Sequence, residues 1–275
     1  MLESVQISDA FVYAHPPFIL LDLTSVGCII RNMTKLSVNL NKIALLRNQR
    51  DIGIPNVIKA AKTVIAAGAY GITVHPRPDE RHIRYADVYE LAKIIEGVEF
   101  NIEGNPFTGK YMDIIRDVHP DQATLVPDAP GANTSDHGWN LNTDGERLVP
   151  IIEELKSLGV RVSLFMDPDF PFIKMAKKLG ADRIELYTEP YAKAFESREN
   201  FDEVLGHYVN AAKEAQQAGL GVNAGHDLNL DNLGAFCKAV PNVLEVSIGH
   251  ALISDAIDMG LAEAVKAYLR VLGTQ

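Results

Sequence analysis

Residues 57–77 read VIKAAKTVIAAGAYGITVHPR, and this stretch decides the fold. Its first half sets Val57, Ala60, Ala61, Val64 and Ile65 at the i, i+3, i+4 spacing of a helix with one apolar face. Gly68 then stands where a helix end needs a left-handed backbone. Gly71–His75 alternates, with Ile72 and Val74 on one side and Thr73 and His75 on the other, which is the two-residue period of a strand. Helix, glycine and strand recur in that order along the chain, with Gly97, Gly159, Gly180 and Gly219 as further stops. The pattern predicts strands at Lys35–Asn39, Gly71–His75, Val98–Glu103, Gln122–Val126, Val160–Met166, Arg183–Tyr187, Leu220–Asn223 and Val243–Ile248. A last helix repeats the apolar face with Leu261, Ala264, Val265, Tyr268 and Leu269. Eight such units predict an α/β fold, a single-domain (β/α)₈ TIM barrel over residues 33–275 with short extra helices. A doubly wound open sheet is the competing architecture, but no Gly-x-Gly-x-x-Gly follows the first strand.

The strands carry a second message. Parallel strands buried on both faces usually read as continuous apolar runs. Here Phe100 and Ile102 alternate with Asn101 and Glu103, and Ile184 and Leu186 with Glu185 and Tyr187. The outer helices take the apolar face, so Ser37, Thr73, Asn101, Glu185 and Asn223 point into the barrel. Such a lining is expensive to desolvate for stability alone, and it reads as a functional interior.

Active sites of this fold lie at the carboxyl ends of the strands. Those positions hold Asn39, His75, Glu103, Glu185, His226 and His250, a set suited to serial proton transfers near neutral pH. A lone histidine there is more often a hydrogen-bonded structural residue; six converging groups are not. The loop His75–His82 adds Arg77 and Arg81, suited to bidentate phosphate contacts, and Asn41, Lys42, Arg47 and Arg50 follow the first strand. Taken alone, either loop is equally a solvated, salt-bridged surface. Gly225-His226-Asp227 and Gly249-His250 end strands seven and eight, where this fold usually binds phosphate through backbone N–H groups. Tyr187, Tyr191 and Trp139 are read as packing, and Cys237 as inert core.

Composition bounds the partners. With 26 basic against 36 acidic residues the net charge is −10, which argues against a sequence-independent nucleic-acid binder. Two cysteines, Cys28 and Cys237, make no disulfide framework, so a cytoplasmic protein is expected. Neither Cys-x-x-Cys nor His-x-His occurs, so no metal is expected. The longest apolar stretch, Phe18–Ile30, is broken by Asp22 and falls short of the roughly 20 residues that span a membrane. Residues 1–32 show no clear periodicity, and their first basic residue is Arg31. They are expected to be a leader outside the barrel, with Met33 as the natural start.

Five segments together resemble the pyridoxine 5′-phosphate synthase family: Val38–Ala44, Gly71–Arg77, Asn101–Glu103, Asn223–His226 and Ile248–Ala251. The resemblance runs in order from about Met33 to the C terminus. It implies a (β/α)₈ barrel, assembled as a homo-octamer, that needs no cofactor. The implied reaction condenses 1-deoxy-D-xylulose 5-phosphate with 3-amino-2-oxopropyl phosphate to pyridoxine 5′-phosphate, inorganic phosphate and water. Carried over by motif, His75 and Glu103 are general bases, His226 is the general acid and Glu185 assists the transition state. Arg50, Arg77, His82 and Thr134 fall on contacts to the sugar phosphate, and Asn39, Gly249 and His250 on contacts to the amino ketone phosphate.

Three departures stand out. The family's Asn-Ile-Asp-His is here Asn39-Leu40-Asn41-Lys42, in which Asn41 still suits sugar hydroxyls and Lys42 a phosphate. The glycine after the strand-seven histidine is Asp227, expected to point away from phosphate or to bind through its backbone N–H. Gly104 replaces a bulkier residue. The chemistry fits the inventory, because the substrate's own amine forms the Schiff base and no electron changes hands. The polar stretch Asp128–Asn140 is expected to close over the site. Another sugar-phosphate lyase or isomerase would leave the paired Asn-Ala-Gly-His and Gly-His-Ala motifs unexplained. A phosphate-binding module would not need His75, Glu103 and His226 together, and a purely structural protein would not need the polar lining.

Overall fold

In the computed structural model, which describes residues 33–273 apart from 130, 133, 169, 170 and 172, eight parallel strands close into a barrel. The strands are β1 (Lys35–Asn39), β2 (Gly71–Val74), β3 (Glu99–Gly104), β4 (Gln122–Leu125), β5 (Arg161–Met166), β6 (Arg183–Tyr187), β7 (Gly221–Gly225) and β8 (Val243–Ile248). Each pairs with its neighbour in sequence, and β8 returns to β1 with Ser247 opposite Ser37. Every predicted strand is present, with ends displaced by two residues at most. β2 stops at Val74 because the His75 N–H leaves the ladder and donates to Asn41 Oδ1 at 2.9 Å. The leader and Cys28 lie outside the described residues.

Among the described residues eleven helices follow the strands: α1 (Asn41–Asn48) and α2 (Val57–Ala66) after β1, α3 (Tyr85–Ala92) after β2, and α4 (Tyr111–Val118) after β3. α5 (Leu141–Ser157) follows β4 and α6 (Ile173–Lys178) follows β5, while α7 (Glu189–Ser197) and α8 (Phe201–Gln217) follow β6. α9 (Leu233–Ala239) follows β7, and α10 (His250–Met259) and α11 (Leu261–Leu272) complete the chain. The doubled helices after β1, β6 and β8 are the extra ones. α2 begins at Asn56, whose side chain accepts the Lys59 N–H at 2.8 Å, and buries Val57, Ala60, Ala61 and Val64 as the spacing predicts. The five glycine stops all have positive φ.

The apolar core lies between strands and helices. Leu36, Ile72, Ile102, Leu164, Ile184 and Val246 point outward into it and are fully buried, each contributing about 1.5–3 kcal/mol. The inside of the barrel is polar and arranged in layers. At the amino ends Arg161 pairs with Glu99 and donates to Gln122 Oε1 at 2.9 Å, while Arg183 reaches Asn223 at 3.1 Å and Glu245 at 3.5 Å. Above them runs a chain from Ser37 to Thr73 (2.7 Å), Asn101 to Thr73 (3.2 Å) and Thr124 to Asn101 (3.0 Å). These lower layers satisfy most of their polar atoms, with Gln122 Nε2 and Ser163 Oγ left without a partner among the described residues. The carboxyl end differs: both oxygens of Glu185 and the Ser247 hydroxyl are buried without a hydrogen-bond partner among the described residues. The functional reading of the interior therefore narrows to its upper rim.

Candidate active site

The rim surrounds a cavity of about 300 Å³ at the carboxyl ends of the strands. Of the residues singled out from the sequence, Asn39, Asn41, Lys42, His75, Arg77, His82, Glu103, Thr134, Glu185, His226, Asp227, Gly249 and His250 line it. Arg50 does not; it lies exposed beyond the end of α1. Arg47, from the same basic group, is buried in a structural role, paired with Asp87 at 2.5 Å and donating to the His82 carbonyl at 3.1 Å.

β3 carries Glu103 to the centre, where Asn39 Nδ2 lies 3.4 Å and His75 Nδ1 3.8 Å from its Oε2. Burial, reinforced by the charge of Asp128, pushes the Glu103 carboxyl up to about 7 against the pull of Arg77 and Asn39. Glu185 is also driven well above the usual carboxylate range, by burial first and then by Glu103 and Glu245, so it stands as the neutral acid. Burial, Arg77 and His82 hold His75 well below the ordinary histidine value. His82 is lowered to about 4 by burial and then Arg77, and its Nδ1 accepts the Ile83 N–H at 2.9 Å. That bond keeps Nδ1 unprotonated and leaves Nε2–H as the donor, so neutral His82 can still hold a phosphate oxygen.

His226 sits past β7 with φ 77°, followed by Asp227 at φ 53°, two consecutive left-handed residues without a glycine. Thr188 Oγ1 braces this turn, reaching the carbonyls of Gly225 at 2.6 Å and of His226, and Asn232 Nδ2 donates to the Asp227 carbonyl at 3.1 Å. The imidazole packs between Phe165 and Tyr187, with ring centroids 5.2 and 5.5 Å away. Burial, then Arg77 and Lys42, lower it to about 4. Tyr187, read from the sequence as packing, is thus the wall that sets the His226 ring. Gly249 caps α10 and passes so close to Asn39 that a Cβ there would lie 3.1 Å from the Asn39 Cβ. The amino end of α10 therefore opens onto the cavity, a place suited to an anion.

Two departures acquire physical reasons. Asn41 supplies an amide oxygen to the His75 N–H, an acceptor role that needs no charge. The Tyr111 ring fills the space beside Gly104, where a Cβ would come within 2.2 Å of Cδ2. Asp227, expected to point away from phosphate or to bind through its backbone N–H, is exposed and lines the cavity. The lining also holds Ser135, Leu228, Ser247, Ile248 and Ala251, which the sequence did not mark as site residues. Ser247 was detectable, since it alternates inward on β8. No group of three His, Cys, Asp or Glu suited to a metal ion occurs among the described residues. No described helix is long and apolar enough to cross a membrane.

Among solved structures the chain resembles the tryptophan synthase alpha chain of Legionella pneumophila (TM-score 0.60, 11% identity, covering 88% of this chain and 92% of that one). It also resembles 3-keto-L-gulonate-6-phosphate decarboxylase of Vibrio cholerae (TM-score 0.60, 9% identity, 88% and 98%). At such identities these likenesses show the barrel alone. The sequence relatives say more. Pyridoxine 5′-phosphate synthase of Albidiferax ferrireducens is 54% identical over 249 residues, covering 87% of this chain and 97% of its own. That of Xanthomonas axonopodis pv. citri is 56% identical over 247 residues, covering 87% and 96%. Residues 36–274 match the family model described as pyridoxal phosphate biosynthesis protein PdxJ, and with the barrel and its rim in place the chain belongs to that family.

Proposed function

We propose that this chain is a pyridoxine 5′-phosphate synthase, condensing 1-deoxy-D-xylulose 5-phosphate with 3-amino-2-oxopropyl phosphate to pyridoxine 5′-phosphate, phosphate and water in vitamin B6 biosynthesis. The observation that carries this reading is the convergence of His75, Glu103, Glu185 and His226 on one cavity that also holds Arg77 and Lys42. The amine of one substrate attacks the ketone of the other, and water leaves as the imine forms. Later dehydration, phosphate loss and ring closure need protons moved repeatedly without electron transfer. Glu103, at about 7, is divided between base and acid at neutral pH, and neutral His75 is a ready base. Glu185, as the neutral acid, donates a hydrogen bond to developing negative charge rather than adding a charge of its own. His226 is the assigned acid. Substrate phosphates beside Arg77 and Lys42 would cancel the charges that depress it and return it toward protonation.

In this reading Arg77, His82 and Thr134 hold the sugar phosphate, and Arg50, exposed beyond α1, is the fourth contact that the resemblance implies. Asn39, Gly249 and His250 hold the amino ketone phosphate. Asn41, Lys42 and Asp227 complete the binding set, and no cofactor takes part. A homo-octamer in the cytoplasm belongs to the same proposal; Leu46, Ile52 and Ile54, which are 57%, 53% and 62% exposed on and after α1, offer apolar surface for a subunit contact. The barrel, residues 33–275, is proposed to carry the whole activity, so a chain begun at Met33 should turn over as the full chain does. Incubating the purified protein with both substrates and following fluorescent product and released phosphate tests the function. Product from one substrate alone, or none from both, overturns it.

A further inference from the structure

The rim contains one buried carboxylate to which the reaction assigns no work. Asp128 follows β4, three residues past Leu125, and is 5% exposed. Its Oδ2 accepts from Arg77 Nη2 and from Ser135 Oγ at 2.8 Å. Asn105 Nδ2 holds its main-chain carbonyl at 3.0 Å, and Oδ1 has no hydrogen-bond partner among the described residues. A second cavity of about 60 Å³, lined by Arg77, Gly104, Asn105, Tyr111 and Asp128, adjoins this pair. One residue group along, Arg81 Nη1 donates to the Ala132 carbonyl at 2.9 Å, so two arginines of the loop after β2 clasp the loop after β4.

A buried ion pair is weak evidence for a stability role, because desolvating both charges offsets most of their attraction. Apolar partners would seal the two loops as well. This pair lies instead where Arg77 lines the large cavity. A guanidinium has five donors in a fixed plane, so holding Nη2 sets the direction in which the others point. We propose that Asp128 is a positioning residue of the active site, aiming the Arg77 guanidinium at the substrate phosphate and, with Ser135, fixing the loop after β4 beside it. The charge of the same carboxylate helps keep Glu103 protonated, as burial and Glu245 do, against Arg77 and the Asn39 hydrogen bond.

The proposal rests on the functional reading above only for what is bound; its first test needs no turnover. Inorganic phosphate is titrated calorimetrically into the full chain, its Asp128→Asn and Arg77→Ala variants, and the double variant. The Arg77-dependent part of the affinity should fall about 10–100-fold in Asp128→Asn, the range of a lost charge-assisted hydrogen bond. The double variant should bind as Arg77→Ala alone. Ser135→Ala, which leaves the ion pair intact, should weaken binding less, about 3-fold, and serves if Asp128→Asn does not fold. With both substrates, Asp128→Asn should raise KM more than it lowers kcat and should move the rising limb of kcat/KM to lower pH, which a merely structural role would not do. Unchanged phosphate affinity in Asp128→Asn, or an equal loss in the Arg77→Ala background, overturns the proposal. A wild-type chain that binds phosphate and forms no product overturns the functional reading instead.

Discussion

Replacing Glu103 by Gln should make this protein more stable and nearly inactive, with a gain that depends on pH. The carboxyl is 6% exposed and is raised from 4.5 to about 7, so between those values the folded chain binds a proton that the unfolded chain has lost. Stability contributed by this group is therefore intact below pH 4.5 and falls as pH rises toward 7. At about 1.4 kcal/mol for each pH unit of that window, ionised Glu103 costs the fold about 3 kcal/mol above pH 7. Gln keeps the carbonyl that accepts from Asn39 and never ionises. At pH 8 the variant should melt about 6–12 °C above wild type, taking about 2–4 °C per kcal/mol for a chain of this size. At pH 5 most of that gain should vanish. Scanning calorimetry at the two pH values and one protein concentration measures it, and turnover should fall about 10²–10⁴-fold for loss of a positioned base. An equal gain at both pH values, or a loss at pH 8, would refute the assignment of a raised, buried carboxyl.

Three further outcomes follow from the rim. The imidazole of His226, followed by NMR, should titrate near 4 in the free protein and move upward when inorganic phosphate neutralises Arg77 and Lys42; a constant value would refute that coupling. Gly225→Ala should fold with a loss of about 1 kcal/mol, because its backbone is not left-handed and the new Cβ clashes with the movable tip of Glu185, 2.3 Å from Oε1, while the Ser247 carbonyl lies at an ordinary 3.4 Å. Turnover should nonetheless fall about 100-fold as that carboxyl is displaced, and wild-type rates would exclude Glu185 from the reaction. The loop Asp128–Asn140 should resist proteolysis when both ligands are present, and cleavage at an unchanged rate would argue against its closing over the site.

The barrel was legible because its signals are local. Helical spacing in residues 57–65, a glycine stop and a two-residue strand period each need only neighbouring residues, and eight repeats of them favour a closed barrel over an open sheet. The rim was legible because the strand ends converge whatever the loops do. What sequence could not supply was pairing across the fold. Arg47 and Arg77 look alike in composition, yet Asp87 claims one for structure and Asp128 holds the other at the cavity. Asp227 depended on the left-handed turn at His226, which nothing in the local residues announces. The polar lining told less, since its alternation is uniform along the strands, while the difference between largely bonded lower layers and an open rim exists only once the barrel closes.

That layered interior also bears on how the chain finds its barrel. Sliding any strand by one residue would turn Asn101 or Glu185 toward the helices and Phe100 or Ile184 toward the axis. The Ser37–Thr73–Asn101–Thr124 chain and the Arg161 and Arg183 bridges would then lose their partners together. An all-apolar lumen would tolerate such a slip far more cheaply. The hydrogen-bonded floor therefore works as a combination lock on strand alignment, and a barrel that closes at all closes with its proton carriers in place.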